Sequence, residues 1–130
     1  MWIQHPKLGA FSLVLADDQV EGGADPDTVM IRGRSQQHLA LLQAAHPALA
    51  AFPIQESRPE LDYRYRLVVP KGAAAQAVAQ MVAAVDYRNV KSTAHANEAK
   101  VGATFVHALH KIWSALLAVQ VECRKGKRTL

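Results

Sequence analysis

Four arginines, Arg32, Arg34, Arg64 and Arg66, stand in two stretches of alternating character, "MIRGR" and "YRYRL". In extended backbone successive side chains point to opposite faces, so each stretch carries its arginines on one side. If Val29 and Ile31 of the first and Tyr63, Tyr65, Leu67 and Val69 of the second meet one core, all four guanidiniums reach the other face of the sheet. Guanidinium forks match phosphate and carboxylate geometry, and like charges placed together need a counterion. The chemistry this predicts is anion binding, with nucleic-acid backbone or an acidic protein as partner. Glu56, Asp62, Asp17 and Asp18 lie on or beside the same stretches and offer the opposite outcome, cross-strand ion pairs on an ordinary solvated face. The tyrosines fall opposite the arginines, whereas a sheet that stacks RNA bases exposes its aromatics. Backbone contact is therefore expected in place of base readout.

The net charge of +4 has a local origin, because Arg124, Lys125, Lys127 and Arg128 account for the whole excess of 15 cations over 11 acids. Such an end supplies phosphate contacts or acts as a solubilising tail. Six histidines are present, with His107 and His110 three apart on one helical face, but no third or fourth ligand converges and no cysteine pair exists. No metal and no cofactor are expected. Cys123 is the single cysteine, so no intrachain disulfide forms and a cytoplasmic setting is the simplest. "EGGADP" lacks the Gly-Lys-Ser/Thr ending of a phosphate loop, and no nucleophile lies in pattern with a base. A non-catalytic protein is expected.

These side chains need a scaffold, and the spacing of apolar residues describes one. "MWIQ" reads as an edge strand, "AFSLVLA" and residues 28–34 as a strand pair around a Gly22-Gly23 and Asp25-Pro26 turn, and "DYRYRLVV" as the clearest strand. Ser35 opens a helix over 35–46 that carries Leu39, Leu42 and His46. "IQES" is a brief strand. "AAAQAVAQMVAAVD" forms a second helix with Val78, Met81, Val82 and Val85 on one stripe. A polar, partly helical bend follows, and a third helix over about 100–120 carries Phe105, Leu109, Ile112, Trp113, Leu116 and Val119. Phe105 and Trp113 on so broad a face predict a protein interface, and a homodimer is one way to cover it.

The predicted class is α+β, a mainly antiparallel sheet with helices on one face in a ferredoxin-like or related split arrangement. Residues 1–120 form one domain and 121–130 a flexible basic tail. No apolar run reaches the roughly 18–20 residues that cross a bilayer, so integral membrane association is not expected.

Trp2, the Gly-x-Phe-Ser strand with Phe11 and Ser12, Arg32, the Asp-Tyr-x-Tyr-Arg strand with Asp62, Tyr63, Tyr65 and Arg66, and the bend with Asp86, Tyr87, Asn89 and Lys91 form a wider pattern. It resembles a group of small bacterial and phage-type proteins of unassigned function. Val90 departs from that pattern, which has Phe there. The resemblance implies no activity. In the bend, Asp86 and Tyr87 are expected to anchor the chain and Asn89 to accept a left-handed turn. The leading function expected is an anion-binding module using Arg32, Arg34, Arg64, Arg66 and the tail; the alternative is a protein-protein adaptor or inhibitor using the last helix.

Overall fold

The computed structural model describes residues 1–16, 25–58 and 62–125. Its element order is β1 (Trp2–His5), β2 (Gly9–Leu15), β3 (Thr28–Gly33), α1 (Gln36–Ala45), α2 (Pro47–Ala50), β4 (Gln55–Glu56), β5 (Tyr65–Pro70), α3 (Lys71–Ala83), α4 (Val90–Ala96), α5 (Glu98–Val101) and α6 (Ala103–Arg124). The five strands form one antiparallel sheet in the order β1-β2-β3-β5-β4. The α+β class is as expected. The strand order is not the interleaved one of a ferredoxin-like split: β1 to β3 run as a meander and β5 returns beside β3. The Gly22-Gly23 turn, Asp17 and Asp18 lie outside the described residues.

Alternation sorts the side chains. Ile31 sits between Leu13 and Leu67, and Arg32 between Ser12 and Arg66. Phe11, Ile31, Leu67 and Val69 therefore enter the main core, where they meet Leu39, Leu42 and Leu49 from α1 and α2 and Ala74 and Ala77 from α3. Burying each large apolar side chain contributes about 1.5–3 kcal/mol. α1 starts where expected, because the Ser35 hydroxyl accepts from the His38 N–H at 3.3 Å. On α3 the alanines are the buried residues, whereas Val82 is 70% and Val85 52% exposed. Val78 and Met81 keep to the expected stripe; Val82 falls on its solvent side and Val85 lies beyond the last helical residue.

A second cluster, Ala94, Val101, Phe105, Val106 and Leu109, joins α4, α5 and the start of α6, with Ala10 and Leu41 packed against it. Asn89 is extended (φ −142°) and its side chain accepts from the Ser92 N–H at 2.9 Å. It is thus the N-cap of α4 and not a left-handed turn residue, because capping that helix requires extended backbone. Asp86 pairs with Lys7 at 2.8 Å, and the Tyr87 ring meets His5 edge-on, so the bend is anchored to the β1–β2 turn.

Burial, then the charges of Lys7 and His46, hold His5 below the ordinary histidine value. The unfolded chain accordingly takes up a proton first as pH falls. Stability present above about pH 6.5 is expected to be lost progressively below it, down through the lower value of the folded state. Urea unfolding at several pH values, wild type against His5→Gln, checks this: the variant should have the flatter pH dependence.

Candidate functional site

The structure divides the arginines into two kinds. Arg34 Nη2 lies 2.8 Å from Asp62, and Arg64 Nη2 lies 2.7 Å from Glu56. Each hydrogen bond holds its guanidinium above the ordinary arginine value. Arg32 and Arg66 face each other across β3 and β5, and among the described residues neither touches a carboxylate. Arg66 is only 9% exposed. Its Nη2 donates to the Tyr63 carbonyl at 3.3 Å and its Nη1 approaches the Met30 sulfur at 3.8 Å. Arg32 donates to the buried Ser12 hydroxyl at 2.9 Å. The Nε atoms of Arg32 and Arg66 are both buried without a partner.

Four guanidiniums thus do not share an open surface. The expectation of an exposed Arg66 is corrected by the depth of the sheet centre, where Met30, Val68 and Ser12 enclose the side chain's row. Tyr63 is buried, but its ring lies 4.4 Å from the Arg32 and 4.0 Å from the Arg34 guanidinium carbon, so it packs beneath arginines and not on α1 to α3. Residue 63 precedes β5, and outside the strand the two-residue alternation no longer governs it.

The last helix has two unlike halves. Its start is packed on α4 and α5, and Phe105 belongs to that cluster, so Phe105 is structural and not open for a partner. Residues 111–120 are all exposed. Within them Trp113 is 53%, Leu116 64% and Val119 43% exposed. Lys91 places its ammonium 4.0 Å from the Trp113 ring centroid, which covers one side of the indole. α6 continues to Arg124, because nothing between Ala103 and that residue breaks a helix. Residues 121–124 are therefore helical, unlike the flexible tail expected there. Arg124 and Lys125 are exposed at its end; Lys127 and Arg128 lie outside the described residues.

His107 and His110 are exposed, and no group of three metal-ligating side chains is found among the described residues. Among the described residues no helix is long and apolar enough to cross a membrane.

Sequence reasoning missed His38. Its Nδ1 accepts from the Ala10 N–H at 3.3 Å and its Nε2 lies 2.8 Å from the Val101 carbonyl. Those partners assign the proton to Nε2, which donates to Val101. Its ring also packs on Phe105, 5.0 Å between centroids. The available signal was its place one turn before Leu42 on the α1 stripe. Trp2 belongs to the sequence pattern, which does not signal its place as one wall of a cavity of about 490 Å³ formed with Gln4, Arg34, Tyr63 and the start of α6. Comparison with protein-family models, with curated proteins and with solved structures finds no match.

Proposed function

We propose that this chain is a non-catalytic interaction module that pairs through α6 with the same helix of a second copy. The observation that carries the reading is the unbroken exposed stretch 111–120, in which Ile112, Trp113, Leu116, Leu117 and Val119 are large and apolar. Monomers rarely expose contiguous apolar patches beyond a few hundred Å², and here five large apolar side chains are exposed within residues 112–119. Phe105, Leu109, Ile112, Leu116, Val119 and Cys123 recur at alternating spacings of four and three, the repeat of a helix-pairing seam. The first two are consumed inside the domain; the remainder continue the same seam into solvent. No charge falls between Lys111 and Glu122, and Ala115 beside the seam leaves room for a close neighbour. A second α6 related by a two-fold axis covers the seam with its own.

Gross burial of about 1.5–3 kcal/mol for each large side chain is set against an association cost of about 4–15 kcal/mol. A dimer of about micromolar affinity is the expected balance. Sedimentation over about 1–200 μM should resolve monomer and dimer. Leu116→Asp should weaken the dimer by at least about tenfold, with helicity and melting temperature of the monomer kept. A monomer throughout that range, or a dimer indifferent to Leu116→Asp, would sink the proposal.

A second reading, an anionic partner such as nucleic-acid backbone, is favoured by the absence of a carboxylate at Arg32 and Arg66 among the described residues. Its footprint is smaller than the sequence suggests, because Arg34 and Arg64 already hold Asp62 and Glu56. Substitution of Arg66 tests it.

A further inference from the structure

The cavity of about 490 Å³ lies between the sheet face that turns away from α1 to α3 and the first turns of α6. Its walls are unequal in chemistry. Trp2, Ala10, Phe105, Ala108 and Ile112 give an apolar lining, and Trp2 is 77% exposed at its border. Among the described residues no acidic side chain lines it, whereas Arg34 does, with Asp62 2.8 Å from its Nη2. The start of α6 adds positive potential of its own. Gly102 (φ +95°) carries no side-chain cap, and the first turn has no acidic residue. The amides of that turn therefore point outward with no intrahelical acceptor. Gln4 lines the same space with its amide oxygen buried and unpartnered. The amide can turn over to present its NH₂ without giving up a bond at that oxygen.

We propose that this cavity binds a small amphiphilic anion, an aryl- or alkyl-carboxylate whose apolar body lies against Trp2, Phe105 and Ile112 and whose head meets Arg34, Gln4 and the open amides of α6. The volume falls within the range of small-molecule sites, and such sites combine apolar walls with a few placed polar groups. A cation is disfavoured because the charged side chain at the wall, Arg34, and the open amides of α6 both present positive potential to the space. A neutral apolar molecule leaves the helix amides, and the part of the Arg34 fork that Asp62 does not occupy, without an acceptor. The inference shares Ile112 with the pairing seam but is separable from it, since Leu116 and Val119 do not line the cavity.

The test uses the full chain and two probes with one body, phenylbutyrate and phenylbutanamide. The indole N–H signals of Trp2 and Trp113 are followed by NMR during titration. Phenylbutyrate should move the Trp2 signal saturably with a dissociation constant below about 1 mM and leave Trp113 in place. The neutral amide should bind about tenfold more weakly, and Arg34→Gln should abolish that difference. Ala108→Trp, which fills the space, should prevent binding of both probes; Ala108→Met serves if the larger residue impairs folding. Leu116→Asp should change nothing. Equal binding of acid and amide, a response of Trp113 in place of Trp2, or no saturation by about 10 mM would overturn the proposal.

Discussion

Gly9→Ala is expected to lower the melting temperature by about 10–15 °C, the larger part of it through His38. Gly9 has φ +115°, and a Cβ built there comes within 2.2 Å of the His38 ring. The backbone alone costs about 1–3 kcal/mol for a side chain at such a φ. The collision adds a displacement of the ring that joins Ala10, Val101, Phe11 and Phe105. His38→Ala should cost about 4 kcal/mol, because the buried Val101 carbonyl and the partly buried Ala10 N–H lose their partner and a space opens among aromatics. For a domain of this size each kcal/mol moves the midpoint by about 4 °C. Combining the substitutions gives the sharper check. With the ring gone, Gly9→Ala retains its backbone cost alone, so the double variant should be more stable than the sum predicts by about 2 kcal/mol. Calorimetry on the four proteins decides it; strict additivity, or a tolerated Gly9→Ala, would remove His38 from the centre of the fold. Loss of His38 should also loosen α5 and the start of α6, since its bond to Val101 ties them to β2.

Arg66→Met is expected to raise stability by about 1–2 kcal/mol, against the usual direction of a buried substitution. The guanidinium is 9% exposed, faces Arg32 across the sheet and leaves Nε without an acceptor. Its removal orphans little. The Tyr63 carbonyl that it serves at 3.3 Å also accepts from the Ser57 hydroxyl at 2.6 Å. Methionine keeps an unbranched stem beside Met30 and carries no charge into the sheet. Arg66→Ala, by contrast, leaves a space and should destabilise by about 1–3 kcal/mol. Urea unfolding of the three proteins gives the sign directly, and a loss of stability in Arg66→Met would show that the charge is compensated. The same variant separates the two functional readings. If nucleic-acid phosphate is held between Arg32 and Arg66, oligomers titrated at low salt should bind Arg66→Met more weakly, with the salt slope reduced by about 0.7–0.9. Unchanged binding returns any such affinity to Arg124, Lys125 and the residues beyond.

Much of the scaffold was legible because it follows local periods. Val29 and Ile31 against Met30 and Arg32, Leu67 and Val69 against Arg66, and Ser35 as a cap all follow from the two-residue alternation of strands and the orphan amides of a helix start. The candidate sites were less so. Arg64 was predicted beside Arg66 on parity, but it stands before β5, where Glu56 on β4 reaches it and the sheet interior does not. Asn89 has the same chemistry in a left-handed turn and in an N-cap, and the choice was made by whether residues 90–96 close a helix.

The sequence by itself determined the strands and the three main helices α1, α3 and α6, which strand faces are apolar, and that α6 is apolar on more than a narrow stripe, since each depends on neighbours a few positions away. Only the tertiary structure decided where that stripe stops being covered. The same repeat runs from Phe105 to Cys123, and nothing in its spacing marks the point beyond Leu109 at which α4 and α5 end and solvent begins. Tertiary structure likewise decided that Arg32 and Arg66 stand face to face while Arg34 and Arg64 find carboxylates, and that Trp2, Arg34 and the start of α6 enclose one space. Apart from Arg64 and Glu56, eight positions apart, those relations join residues 28 to about 100 positions apart, and the register of β3 on β5 and the docking of α5 on α1 that create them are set by the packing of the whole core.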